Sequence, residues 1–441
     1  MSSNTVFSTQ AANTALLGEL RVPGDKSMSH RAVMFSSLAN GVSHISGLLE
    51  GEDVLATLAA FQAMGVVVDG PKDGKLTVHG VGMHGLSAPE SDLDMGNSGT
   101  AMRLMSGILA AQKFSSKLVG DQSLSGRPMR RVTVPLSAMG ARCATDDDGC
   151  PPIHIRSVER LEPIDYKLPM ASAQIKSAVL LAGLYADGKT SVTEPAPTRD
   201  HTERMLRAFG YPCTTERVDD SVSVISVEGG GELSAANIDI PSDISSAAFF
   251  LVAASIVPGS DITLRHVGVN PTRTGVIDVL REMGASIEFV NAHDIGGEPV
   301  ADIRIQYVGL KGIDIAPKYV PLAIDEFPVL CIAAACAEGI TTVSGAEELR
   351  HKESDRISAM VAGLRALGVE LVEHKDGVVI TGGALTGGSV DSFHDHRIAM
   401  AFSVAGAVAS EPVVIDKCEN VATSFPDFVE AAGRIGLRVD V

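Results

Sequence analysis

Hydrophobic and polar positions follow one pattern that recurs along the whole chain. A helical run ends in an apolar residue and Gly and is followed by a strand-like run, as in AFQAMGVVV, PLSAMGARC, MLRAFGYPC, VLREMGASI, GLRALGVEL and AAGRIGLRV. The glycines are Gly65, Gly140, Gly210, Gly284, Gly368 and Gly436, separated by 68 to 84 residues. Gly suits the position just past a helix end, where φ is often positive and a Cβ is costly. Ahead of each instance lies a second, Ala-rich helix leading into a short β-branched strand, for example HRAVMFSSLANGVSHISG, SSAAFFLVAASIVPGSDITL and HRIAMAFSVAGAVASEPVVI.

The predicted unit is therefore helix, strand, helix, Gly, strand, turn, strand, written six times. Turns between the last two strands are expected at Asp146–Gly149 (DDDG), Val218–Ser221 (VDDS) and His374–Gly377 (HKDG). One such unit is generic in α/β proteins, but six at near-constant spacing mark a structural repeat. Three repeats per domain is the economical division, with a boundary near Gly229–Gly231 and the strand Ala236–Ile240. That Gly run reads as a linker or hairpin tip, since the chain has no Walker-type phosphate loop.

Polar residues collect at the helix starts. The first helices begin at Lys26-Ser27-Met28-Ser29-His30-Arg31, Asn97-Ser98-Gly99-Thr100, Ser172-Ala173-Gln174, Ser242-Asp243, Asp325-Glu326 and His394-Asp395-His396-Arg397. The second helices begin near Arg127, Arg199, Arg273, Lys352-Glu353-Ser354-Asp355-Arg356 and Ser424. N-capping alone accounts for Ser29, Ser98, Thr198, Ser242 and Ser424, and for at least one of Asp325 and Glu326. It does not account for Lys26, Arg31, Arg127, Arg199, Lys352, Arg356 and Arg397. A cation at a helix N-terminus opposes the macrodipole at a cost of ~0.3–1 kcal/mol. A bound anion reverses that sign, so the pattern predicts a site for phosphates or carboxylates. His394 and His396 form only a weak metal pattern, and no metal is expected.

Composition narrows this further. A chain of 441 residues exceeds the roughly 250–300 residues of a single core. A net charge of −18 disfavours nucleic acid and anionic membranes as partners, so anionic ligands require local clusters of Lys and Arg. Aromatic residues make up only 4%, with no Trp, which leaves little for base stacking. Six cysteines without a C-x-x-C pair suggest reduced thiols, and Met1–Leu20 lacks the pattern of a secretory leader; a cytoplasmic location is expected. The most apolar stretch, Ala247–Val257, is too short to span a bilayer.

The segments PGDKSMSHRA, GNSGTAMRL, GDQSLSGRPM, MASAQIKSAVLLAG, PAPTRDHTE, AIDEFP, LRHKESDRI, DHRIAM and TSFPDF, in this order across the chain, resemble the 5-enolpyruvylshikimate-3-phosphate synthase family. The resemblance implies an α/β fold of the inside-out barrel type, with six βαβαββ repeats, three per domain. It implies a discontinuous domain of residues 1–21 plus 241–441 on the phosphoenolpyruvate side, a domain of residues 22–240 on the 3-phosphoshikimate side, and an active site in the cleft between them. It further implies a monomeric transferase that uses both small molecules without a cofactor and is a glyphosate target.

Residue by residue, the resemblance gives Lys26, Ser27, Arg31, Ser172, Ala173, Gln174, Arg199, Asp325 and Lys352 to 3-phosphoshikimate. Lys26, Asn97, Gly99, Thr100, Arg127, Gln174, Arg356, His396 and Arg397 go to phosphoenolpyruvate. Asp325, Glu353 and Lys26 are the implied catalytic groups. Ala173 stands where many relatives carry Ser. The related enzymes that enolpyruvylate a UDP-sugar are the alternative. They typically carry a loop Cys, and Val119–Arg131 contains none.

Overall fold

The computed structural model describes residues 5–219 and 221–441, so Asp220 of the expected VDDS turn lies outside the described residues. Helices and strands alternate as the repeat predicts, and six separate sheets result among the described residues. In the first five repeats the strand that follows the Ala-rich helix pairs antiparallel with the later strand of its hairpin, and the earlier hairpin strand sits at the edge. Ala39–Ser46, Lys75–Val81 and Val67–Lys72 show this order, as do Lys189–Glu194, Ser223–Glu228 and Cys213–Arg217. In the sixth the N-terminal strand Phe7–Thr9 takes the place of the later strand. Among the described residues no sheet closes on itself; the architecture is mixed α/β built from open sheets.

Strand exchange along the chain explains its division. Leu233–Ser234 and Asn237–Asp239 return to pair in parallel with Ala39–Ser46, which joins the third repeat to the first. Leu17–Leu20 pairs in parallel with Asp261–Gly268, and Phe7–Thr9 lies between Val413–Asp416 and Val439–Asp440. The N-terminal strands therefore belong with the last three repeats. Two compact units follow: one is the described chain up to Pro23 with Pro241–Asp294 and Glu298–Val441, the other Gly24–Ile240 with Ile295–Gly297. Gly229–Gly231 lies inside the second unit, where Gly230 N–H donates to Leu184 O at 2.9 Å.

Each unit has its own core, built mainly from the Ala-rich helices. Every residue of Ile244–Ile256 and of Phe327–Ala335 is buried, and so is all of His396–Gly406 except Arg397. The second unit buries the helices Lys26–Leu38, Gly99–Leu109 and Ala173–Gly183 in the same way. Small residues make such all-round burial possible. A Cβ on Gly107 would lie 2.3 Å from Ala178 O, so Gly lets those two helices meet backbone to backbone. Strands in contrast expose one face, as the alternation along Ile153–Arg156 shows. The six repeat glycines all sit past helix ends with φ between 78° and 95°.

The caps differ from expectation. Ser98 and Ser172 cap their helices, but Asp25, Asp243, Asp355 and Asp395 supply the other side-chain caps in these motifs. Ser29 lies inside its helix, Ser242 precedes the true cap, Thr198 lies in the loop before His201–Ala208, and Ser424 follows a short 3-10 turn. Glu326 occupies a cap position without capping, and Asp325 lies outside that helix. An ionised carboxylate next to the exposed N–H groups is favoured by the dipole in a way a hydroxyl is not.

Candidate active site

In the Gly24–Ile240 unit the cationic starts are held by specific partners. Lys26 is the first residue of its helix and pairs with Asp53. Arg31, one turn further on and buried, donates from Nε to Thr202 Oγ1 (2.7 Å) and from its two terminal nitrogens to Ser27 O (2.9 Å) and Ser177 Oγ (3.0 Å). His30 between them is fully buried, its ring nitrogens 2.8 Å from Thr57 Oγ1 and 3.4 Å from Ser98 Oγ. Burial, reinforced by Lys26 and Arg31, holds its pKa well below 6.5, so the ring is neutral beside two cations.

A second group in this unit forms around the start of the Gly99–Leu109 helix. Arg127 donates to Asn97 Oδ1 at 3.1 Å, and the Asn97 amide donates to Asp121 at 2.7 Å. Gln174 links two side chains of the facing helix, accepting from Arg103 at 2.6 Å and donating to Thr100 Oγ1 at 2.9 Å. A Cβ at Gly99 would lie 3.0 Å from one Arg103 nitrogen and 3.1 Å from one Arg127 nitrogen, so Gly leaves room for two converging guanidiniums. Ser172 accepts from Ile175 N–H, Ala173 is the first residue of its helix, and Arg199 lies in the loop before His201–Ala208.

The other unit assembles Asp325, Lys352, Glu353, Arg356 and Arg397 around one buried guanidinium. Arg356 donates to Asp395 (2.8 Å), Glu353 (2.7 Å) and Asp325 (3.3 Å). Lys352 Nζ lies 3.2 Å from the same Asp325 oxygen, and Arg397 donates to Asp325 O at 3.1 Å. Burial opposes the charge on Arg356, but the three carboxylates outweigh it and keep the guanidinium protonated. Burial would likewise push the Asp395 carboxyl up; Arg356 outweighs that and holds it below its usual range. The anions that offset a cation at this helix start are thus carboxylates of the chain itself. His396 is buried one residue past its cap, and His394 pairs with Glu419 at 2.5 Å.

Behind this cluster Glu326 is buried. Its Oε1 accepts from Ser245 Oγ and lies 3.8 Å from Arg397 and 4.0 Å from Arg273. Asp53, Arg103, Asp121 and Asp395 were not among the expected site residues. Arg103 falls four residues after Gly99 on one helix face, a spacing that was open to discovery. Asp53 and Asp395 act over 27 and 39 residues, beyond any local pattern.

Three groups of Lys and Arg at helix starts, two of them in contact with carboxylates, fit a mixed α/β enzyme that handles phosphorylated, acidic small molecules. The model of the family EPSP synthase (3-phosphoshikimate 1-carboxyvinyltransferase) matches residues 11–431, and the chain belongs to this family. It is 59% identical over 441 residues, all of both chains, to a 3-phosphoshikimate 1-carboxyvinyltransferase of Methylococcus capsulatus. A protein of the same name from Halorhodospira halophila is 59% identical over 432 residues, 98% of this chain and 96% of the relative. Among solved structures, EPSP synthase of Acinetobacter baumannii matches with a TM-score of 0.89 and 55% identity, covering 99% of each chain. No helix among the described residues is long and apolar enough to cross a membrane.

Proposed function

We propose that the chain transfers the enolpyruvyl group of phosphoenolpyruvate to the 5-hydroxyl of 3-phosphoshikimate and releases phosphate, a step toward the aromatic amino acids. Membership of the family carries the activity. The observation that carries the assignment of groups is the Arg356 guanidinium, which holds Asp325 and Glu353 at once.

The reaction is an addition followed by an elimination. The 5-hydroxyl oxygen bonds to C2 of phosphoenolpyruvate, the hydroxyl proton passes to a base, and the methylene carbon takes up a proton from an acid. The tetrahedral intermediate then loses a proton from that methyl group and expels phosphate, restoring the double bond. Asp325 is the base for the hydroxyl, with Lys352 and Arg356 beside its carboxylate at 3.2 and 3.3 Å. Glu353 and Lys26 exchange the methylene proton and assist the leaving phosphate. Ser27, Arg31, Ser172, Ala173, Gln174, Arg199, Asp325 and Lys352 hold 3-phosphoshikimate. Lys26, Asn97, Gly99, Thr100, Arg127, Gln174, Arg356, His396 and Arg397 hold phosphoenolpyruvate. Fixed cations stabilise the departing phosphate without reorganising.

In this proposal the unit of residues 1–21 plus 241–441 is the phosphoenolpyruvate side, residues 22–240 the 3-phosphoshikimate side, and the fold the inside-out arrangement of enolpyruvyl transferases. The buried helices and the strands with one exposed face within each unit support the last point. Asp325→Asn tests the roles: kcat is expected to fall by about 10²–10⁴-fold, the range of general acid–base catalysis, with the fold intact by circular dichroism. Wild-type kcat in this variant would remove Asp325 from proton transfer.

A further inference from the structure

The Ala173–Gly183 helix carries a lysine that the reaction above does not use. Lys176 has a fully buried side chain, and its Nζ lies 2.7 Å from Glu203 Oε1 and 3.0 Å from Glu194 Oε2. A lysine is almost never buried unless it is paired, and here two carboxylates share it. Burial would lower its pKa, but Glu203 and Glu194 raise it, so the ammonium stays charged. Glu203 Oε2 is buried and makes no hydrogen bond, so apolar packing does not account for the cluster.

Lys176 and its two partners come from three separate segments. Lys176 is two residues beyond Gln174 and one turn beyond Ser172. Glu194 ends the strand Lys189–Glu194, and its Oε2 also accepts from Thr198 Oγ1 at 2.7 Å, which ties down the loop that bears Arg199. Glu203 lies in His201–Ala208, beside Thr202, which accepts from Arg31. Ser177, next to Lys176, bonds both Arg31 (3.0 Å) and Thr202 (2.7 Å). Every segment that meets at the ammonium thus carries or adjoins a group assigned to 3-phosphoshikimate.

We infer that Lys176, Glu194, Glu203 and Thr198 form a buried positioning network that sets the spacing of Ser172, Arg199 and Arg31, contacts assigned to 3-phosphoshikimate alone. These four residues touch no substrate and act through the segments they join. The inference rests on the proposed substrate. It predicts selectivity: weakening the network loosens 3-phosphoshikimate and leaves phosphoenolpyruvate affinity alone, whereas a purely structural ion pair would lower stability without discriminating between them.

Lys176→Met strands two buried carboxylates and risks misfolding, so the informative variant is Thr198→Val, which keeps the volume and the ion pairs and removes only the hydroxyl bond to Glu194. Binding of 3-phosphoshikimate is measured by calorimetry, together with KM for both substrates and the melting temperature, on wild type, Thr198→Val and Thr198→Ser. The expected result is a dissociation constant and KM for 3-phosphoshikimate about tenfold higher in Thr198→Val, the scale of one charge-assisted hydrogen bond. The phosphoenolpyruvate KM and the melting temperature should remain near wild type, and Thr198→Ser should restore binding. Wild-type affinity in Thr198→Val, or equal rises in both KM values, would overturn the network's role. Failure of the wild-type protein to bind 3-phosphoshikimate would instead overturn the proposed substrate and the inference with it.

Discussion

The neutral imidazole of His30 has a consequence for stability that is open to direct measurement. The ring is fully buried beside Lys26 and Arg31, and its folded-state pKa lies well below 6.5. In the unfolded chain the ring titrates near 6.5. A depressed folded pKa contributes stability that is present above the unfolded value and is lost as pH falls toward the folded value. One pKa unit corresponds to 1.36 kcal/mol, so lowering the pH from about 7.5 to 5.5 should remove about 1.4 kcal/mol through this residue alone. His30→Gln retains hydrogen-bonding capacity toward Thr57 and Ser98 but does not titrate. Urea unfolding of both proteins at the two pH values isolates the effect, because all other titrating groups cancel in the difference. Wild type should lose about 1.4 kcal/mol more than the variant across that interval. Equal losses would refute the neutral, cation-flanked ring.

Gly99→Ala places a methyl group about 3 Å from the ends of Arg103 and Arg127, while the helix gains propensity of up to about 1 kcal/mol. Stability should hold or rise while the phosphoenolpyruvate KM increases and the inhibition constant of glyphosate increases more; parallel steady-state kinetics on both proteins check this, and equal changes in the two constants would contradict it. Arg356→Met leaves Asp395, Glu353 and Asp325 without their shared guanidinium and should cost about 3–5 kcal/mol in chemical denaturation. A loss below about 1 kcal/mol would show that Asp395 is not held by Arg356 in solution.

Repetition was the most legible part of this chain. A helix that must end in a left-handed residue leaves a visible Gly, and all six such glycines have the expected φ. The caps were less legible, because Ser and Asp compete at helix starts and only the geometry decides; Asp25 and Asp243 took the places assigned to Ser29 and Ser242. The return of Asn237–Asp239 to the first strand of its unit could not be seen in the sequence, since β pairing leaves no local trace of its partner. The same limit hid the ion partners. The cations at helix starts pointed to anions, but Arg356 answers to Asp395 across 39 residues and Lys26 to Asp53 across 27. Lys176 was hidden in an apolar run, where its motif gave no sign that both of its carboxylate partners would be buried with it.

The most direct test of the central claim is phosphate release from phosphoenolpyruvate by the purified protein, with 3-phosphoshikimate in one reaction and UDP-N-acetylglucosamine in the other. Release in equal amount with enolpyruvyl transfer to 3-phosphoshikimate, and none with the UDP-sugar, is the expected result. Release with the UDP-sugar alone, or none with 3-phosphoshikimate, would contradict it.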